Sequence, residues 1–395
     1  MRSAKFIEVL FLAIAIINIS VAKAQSSIDI KGQLRLAVSQ YKEMAVQHPD
    51  TNKTPQTFIR GSYVNMPTDW WCSGFFAGTL WYLYEYTRDP DLKKAAQLWT
   101  IALQKEQYNT STHDLGFMLY CSYGNGYRLT KNKEYRKIMI RGAESLATRF
   151  DPNVGLIKSW DEYDGCNYPV IIDNMMNLEY LIWAAKNSGD KNLYKIAVTH
   201  ADNTMANHFR NDYSSYHMIC YDSAGNVTGK RTVQGANDTS AWARGQAWGM
   251  YGYTVMYRQT RDRKYLEQAE RIADFFIHHP NLPADKIPYW DFNAPNIPNE
   301  ERDASAAAIT ASALLELSKY STKNKSKTYF NVAEKMLQSL SGPEYRTKLG
   351  EQGNFLLKHS VGHKPAKSEI DVPLIYSDYY YIEALLRYKA SKRKY

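Results

Sequence analysis

Five times along the chain a short polar turn hands over to an amphipathic helix, and that recurrence limits the fold more than any single motif. The turns are Thr87-Arg88-Asp89-Pro90, Thr130-Lys131-Asn132-Lys133, Ser188-Gly189-Asp190-Lys191, Thr260-Arg261-Asp262-Arg263 and Thr322-Lys323-Asn324-Lys325. Each joins turn-forming and helix-capping residues to a run whose apolar positions recur at helical spacing. The helices so predicted start near 91, 134, 192, 264 and 326, and residues 32–47 add a sixth. Between them lie aromatic-rich stretches without a clear polar face, at about 72–86, 115–129, 174–186, 239–258, 304–320 and 379–390. A helix apolar on every side is a buried one. Twelve alternating helices read as six hairpins, so the fold class is all-α: an (α/α)6 barrel of six helical hairpins, with the aromatic set inside. An open solenoid also repeats hairpins, but aromatic inner helices and irregular loops suit an enclosed pocket better.

Ahead of the repeats, Arg2 and Lys5 precede an apolar run from Val9 to Ile19 and the small-x-small triplet Ala22-Lys23-Ala24. That order is the pattern of a cleaved secretory signal, so residues 1–24 are read as a signal peptide and 25–395 as one catalytic barrel domain. The apolar run is short for a bilayer span, and no cysteine follows the cleavage point. An exported protein without a membrane anchor is expected, periplasmic in a Gram-negative source. The formal charge of +9 becomes +7 once Arg2, Lys5 and Lys23 leave together with Glu8. This charge is dispersed rather than gathered in runs, so nucleic acid is not the expected partner; an anionic oligosaccharide fits both charge and export. The four cysteines, Cys72, Cys121, Cys166 and Cys220, match no metal-binding spacing and are expected as buried apolar residues, with a disulfide left open by export. No HExxH, glycine-rich phosphate loop or CxxC pair occurs, so no metal and no cofactor is expected.

An acid stands at the start of every predicted inner helix: Asp69, Asp114, Asp173, Asp238, Asp303 and Asp378. Singly, each is explained as an N-cap favoured by the helix dipole. In a ring of hairpins the inner helices run the same way, so six such ends meet at one mouth, predicting an acidic, aromatic-lined pocket. Asp173 is the sharpest case, because Val170, Ile171 and Ile172 precede it. Apolar walls and crowding by Asp114 are expected to raise its pKa against the pull of the dipole.

The stretch from Gln234 to Gly249 sets Arg244 between Trp242 and Trp248. Indole faces suit the C–H surfaces of sugars, and a guanidinium fork suits a carboxylate. For each Trp a plain core role is the equal alternative. A buried Arg, however, needs an anion from the protein or from a ligand. Further on, Ser360, His363 and Lys364 belong to a polar loop that could read a sulfate, a solvated loop being the plainer account.

Five ordered motifs together are similar to those of the unsaturated glucuronyl hydrolases, glycoside hydrolase family 88. They are Trp71-Cys72-Ser73-Gly74-Phe75-Phe76-Ala77-Gly78, Thr112-His113-Asp114-Leu115-Gly116-Phe117, Ile172-Asp173-Asn174-Met175-Met176-Asn177-Leu178, Ser240-Ala241-Trp242-Ala243-Arg244-Gly245-Gln246-Ala247-Trp248-Gly249 and Tyr376-Ser377-Asp378-Tyr379-Tyr380. The resemblance implies an (α/α)6 barrel that removes the 4,5-unsaturated uronic acid left by polysaccharide lyases on glycosaminoglycan fragments. It implies Asp173 as general acid and base and Asp114 as the second essential acid. It also implies Trp71, Trp160, Trp242 and Trp248 as aromatic walls, and His113, His217, Gln234 and Arg244 as polar substrate contacts. The implied chemistry is hydration of the C4=C5 vinyl ether, not displacement at the anomeric carbon. Unsaturated galacturonyl hydrolysis of pectin or ulvan fragments is the sister activity. A non-catalytic glycan-binding protein is the alternative of another class, and a sugar epimerase is disfavoured for want of clustered histidines. His113 and the basic loop favour a sulfated, glycosaminoglycan-like substrate.

Overall fold

In the repeated turns, an inner helix ends on a residue in the left-handed region, and the residue after it caps the next outer helix. Arg88, Lys131, Gly189 and Arg261 adopt φ of 61°, 58°, 85° and 64°. Asp89, Asn132, Asp190 and Asp262 then accept from backbone N–H groups of the following helix. A left-handed C-terminal residue followed by an Asx cap reverses the chain within two residues. The fifth turn differs: its helix starts at Lys323 behind Thr322, which makes no side-chain cap, so Asn324 lies inside the helix rather than ahead of it.

The computed structural model describes residues 28–392, and the expected signal peptide lies outside the described residues. The outer helices are α1 (Ile30–Gln47), α3 (Pro90–Ile101), α5 (Lys133–Ala147), α7 (Lys191–Asn207), α9 (Arg263–His278) and α11 (Lys323–Leu340). The inner helices are α2 (Gly74–Thr87), α4 (Asn125–Thr130), α6 (Leu178–Ser188), α8 (Ala243–Thr260), α10 (Ala304–Leu317) and α12 (Ile375–Ser391). Two inner helices begin irregularly: a π-helical segment, Gly116–Gly124, leads into α4, and a 3-10 turn, Ile172–Asn177, leads into α6. Burial separates the two sets as the sequence predicts. Helix α9 buries one face, through residues such as Leu266, Ala269, Ile272, Ala273 and Phe276, whereas all 14 residues of α10 are buried.

The inner ring is closed. Helix α8 packs on α10, α10 on α12, and α12 returns to α2, which lies against the π segment. An open solenoid is thereby excluded. Close approach is built in at Gly74, where a Cβ would stand 2.1 Å from the Met118 carbonyl oxygen, and at Gly78, where it would stand 2.7 Å from that of Cys121.

Short antiparallel strands occupy the mouth where the inner helices start, in place of the expected irregular loops. They are the hairpin β1 (Lys53–Ile59) with β2 (Ser62–Pro67), the pair β3 (Phe150–Asp151) with β4 (Leu156–Ile157), the sheet β5 (Pro169–Ile171), β6 (Met218–Tyr221) and β7 (Val227–Arg231), and the hairpin β8 (Ser360–His363) with β9 (Ser368–Val372). Strand β6 is bound to the loop ahead of β5 by a disulfide between Cys166 and Cys220. The expectation of four buried thiols is corrected to this extent: Cys72 and Cys121 are free and buried, and the other two are paired.

Candidate active site

Asp173 does not cap its helix. It lies inside the 3-10 turn, whose cap position is Ile171, and its side chain makes no capping bond. The N-cap reading therefore fails, and the carboxyl is left buried with its Oδ2 unpartnered. Such an atom is costly in a folded chain and calls for a reason. Strand pairing supplies its surroundings: Ile171 pairs with Met218, and the Ile172 N–H donates to the His217 carbonyl at 2.9 Å. Asp173 and His217 are thus set side by side.

The His217 ring is oriented from behind. Its Nδ1 accepts from the backbone N–H groups of Val233 and Gln234, at 3.0 and 3.2 Å. The ring proton therefore sits on Nε2, which faces Asp173 Oδ2 at 3.6 Å. Burial keeps His217 neutral, its pKa well below the usual value. The Trp248 indole N–H also approaches the Asp173 carboxyl. Neither N–H has a hydrogen-bond partner, and neither has Asp173 Oδ2. Two donors and one acceptor converge with their bonds unclosed.

Asp114 completes the pair. Thr112 donates to its Oδ2 at 3.1 Å, and His113 Nε2 lies 3.4 Å from its Oδ1. The segments carrying the two acids are joined by the Gly116 N–H, which donates to Asn177 Oδ1 at 2.8 Å. Burial pushes Asp173 up to about 7; Arg244 and the Trp248 N–H pull it back, and Asp114 adds to the rise. Burial also pushes Asp114 up to about 7, against the Thr112 bond and the Arg149 charge. The expected rise of Asp173 is present, with desolvation outweighing the neighbouring carboxyl as its cause. Burial takes His113 down to about 3, so it is neutral beside Asp114.

The two acids line a cavity of about 730 Å³ together with Trp71, Trp160, His113, Gln234 and Arg244. Trp71 packs edge-on to Phe117 and at 4.9 Å from Tyr376. The loop bearing Trp160 is held by Arg149, which donates to the carbonyls of Lys158 and Thr110 at 2.8 and 2.7 Å. Arg244 is buried and already supplied with acceptors: Asp303 at 3.3 Å, the Gly362 carbonyl at 2.6 Å and the Val361 carbonyl. It stacks on Trp242 and Tyr376.

Several expectations are corrected. Trp242 and Trp248 are not among the walls of the cavity. Trp242 backs His217 and Arg244, and Trp248 is enclosed between Phe117 and Tyr380. Of the six acids, Asp69, Asp114 and Asp173 line the cavity, while Asp238, Asp303 and Asp378 do not. Ser360 is fully buried and bonds to Ser377, and Lys364 is ion-paired to both Glu300 and Glu301. Neither lines the cavity, so a sulfate there finds only His363 of the three. That ring in turn bonds the Val233 carbonyl through Nε2. Sequence reasoning missed Gln56, Trp70, Glu369 and Tyr376 as walls. Glu369 is bonded by Gln56, and burial raises its pKa. Only the approach of β1 to β9 brings those two together, and no local pattern marks it.

A paired carboxyl site with pKa values near neutrality, at the floor of an aromatic cleft, is the equipment for proton transfer to a sugar. Comparison decides the family: the model for Glycosyl Hydrolase Family 88 matches residues 41–390. The chain belongs to this family. A relative from Formosa agariphila, "Unsaturated glucuronyl hydrolase", is 48% identical over 325 residues, covering 82% of this chain and 80% of the relative. An "Unsaturated chondroitin disaccharide hydrolase" from Streptococcus pyogenes serotype M1 is 32% identical over 368 residues, with 91% of each chain covered. A solved "unsaturated glucuronyl hydrolase specific for heparin" superposes with a TM-score of 0.90 at 50% identity, covering 92% of this chain and 98% of that one. The family 88 chain is therefore a glycosidase, and its fold is the (α/α)6 barrel of these enzymes.

Proposed function

We propose that this family 88 enzyme removes a 4,5-unsaturated uronic acid from the non-reducing end of lyase-generated glycosaminoglycan oligosaccharides by hydrating the C4=C5 bond. The observation that carries the reading is Asp173, a buried carboxyl with an idle Oδ2 and a pKa near 7, at the floor of the cleft. In its neutral form Asp173 delivers a proton to C4. Water adds at C5, and its proton returns to the Asp173 carboxylate. The product at C5 is a hemiketal that opens and releases the remaining sugar. A single residue serves both transfers because the two carbons are adjacent. Asp114 holds sugar hydroxyls, and Trp71 and Trp160 offer faces to the rings.

We take the neighbouring sugar to be unsulfated and the fragment to be of heparin type. Glu369 on the wall disfavours a second anion, Lys364 is held by two glutamates, and the solved neighbour cited above is described as heparin-specific. Loss of the vinyl-ether ultraviolet absorbance on unsaturated heparin, chondroitin and hyaluronan disaccharides, with Asp173→Asn as control, tests both statements. Absorbance that persists with every substrate rejects the reaction. Faster turnover of sulfated than unsulfated disaccharides rejects the specificity.

A further inference from the structure

The inner helices have a second mouth, where they end, and it holds a cavity of about 340 Å³ that shares no charged residue with the catalytic cleft. Converging helix C-termini favour cations. Arg128, Arg258 and Arg387 meet that demand, each already neutralised. Arg128 grips Glu85 through both nitrogens at 2.7 and 2.5 Å. Arg258 pairs with Glu179 and Glu316 at 2.5 and 2.8 Å, and Arg387 pairs with Glu316 and Glu383 at 3.1 and 3.4 Å. Lys131 adds a fourth cation at the rim, and of the four carboxylates Glu179 and Glu383 line the cavity. An anion seeking these arginines would have to break an internal ion pair to bind.

A neutral polyol would not. Glu383 is already bonded by Tyr82, Tyr251, Ser312 and Arg387, whereas Glu179 takes the Tyr120 phenol at 3.0 Å and Arg258 on Oε1 and keeps Oε2 for a further hydroxyl. Trp183, packed edge-on to Tyr127, supplies an aromatic wall of the kind on which a pyranose face rests. The volume suits one ring. Both irregular inner segments, which carry or follow the catalytic acids, also form its lining, the π segment through Tyr120 and Cys121 and the 3-10 turn through Met175 and Met176. Departures from α-helical geometry of the π type concentrate at functional sites.

We propose that this far cavity binds one neutral monosaccharide, independently of the catalytic cleft. Calorimetric titration with N-acetylglucosamine, and with glucuronate as the charged comparator, tests it. Wild type and Trp71→Ala are expected to bind the neutral sugar with a Kd of about 1–10 mM, and glucuronate at least tenfold more weakly. Met176→Trp, which fills the cavity, and Trp183→Ala, which removes its wall, should each weaken binding at least tenfold while still turning over substrate. Because the two variants act in opposite ways, misfolding of one leaves the other to decide. Absence of saturable binding overturns the proposal. So does binding that Trp71→Ala abolishes and both far-cavity variants retain, or equal affinity for the charged sugar.

Discussion

Two sides of the same mouth carry acids at equivalent helix starts, and they are used in opposite ways. Near α10 and α12, Asp303 caps its helix and holds Arg244, while Asp378 accepts from the Leu356 and Leu357 N–H groups at 2.8 and 3.1 Å and from Tyr41 at 3.1 Å. On the side of α4 and α6, Asp173 has an oxygen with no partner. Burial pushes both Asp378 and Asp173 up to about 7. A raised pKa alone does not mark the catalytic acid. What separates the two is whether the surroundings have already used the carboxyl.

The largest effect that sharpens this contrast is on turnover. Asp173→Asn keeps the shape and removes the acidic carboxyl proton, so kcat should fall by ~10³-fold or more. Disaccharide affinity, read by calorimetry, should stay within a few-fold of wild type. Appreciable turnover by the Asn variant would transfer the acid role to Asp114.

Stability should move the other way, and its dependence on pH has a fixed sign. A carboxyl whose pKa rises on folding contributes its stability below the unfolded value, and that contribution is lost as pH climbs through the folded value. For Asp173 the window runs from about 4 to about 7. Asp173→Asn lacks the cost of ionisation, so its advantage over wild type should grow across that window toward a ceiling of about 4 kcal/mol. Urea melts at pH 4.5 and 7.5 measure it; a constant difference would mean that Asp173 ionises freely.

On the satisfied side, Asp378→Asn is a folding mutation. Asn turns an amide donor toward groups that themselves donate, at a cost of about 2–3 kcal/mol. The transition in urea should shift down, while kcat per folded molecule holds within about twofold. A selective loss of kcat with stability intact would erase the distinction between the two sides.

The ring itself was legible because the repeated turns carry their own chemistry, a left-handed residue followed by an Asx cap. The acid pair was legible for a poorer reason. Asp173 stands out in sequence by the apolar run before it, but an N-cap explains the same residue, and only the 3-10 turn beginning after Ile171 shows that it caps nothing. The tryptophans divided according to burial: Trp71 and Trp160 reach the cleft, while Trp248 is enclosed within the inner ring. Spacing along one helix does not say which face meets a cavity and which meets another helix. Lys364 misled for a related reason, since its two glutamate partners lie more than sixty positions away in sequence.

Trp248 permits the finest test. Its N–H approaches Asp173 without closing a hydrogen bond, and it opposes the upward pull of burial on that carboxyl. Trp248→Phe removes the opposing dipole, so the Asp173 pKa should rise further. A general acid must be protonated to act, which makes kcat/KM decline as pH climbs through that pKa. The alkaline limb should therefore move to higher pH, by about half a unit to one unit, given that a unit corresponds to roughly 1.4 kcal/mol of differential interaction. A variant that only loosened the packing between Phe117 and Tyr380 would lower the whole profile and leave the limb in place. The position of the limb, not its height, decides whether the indole acts on the carboxyl or merely fills the barrel.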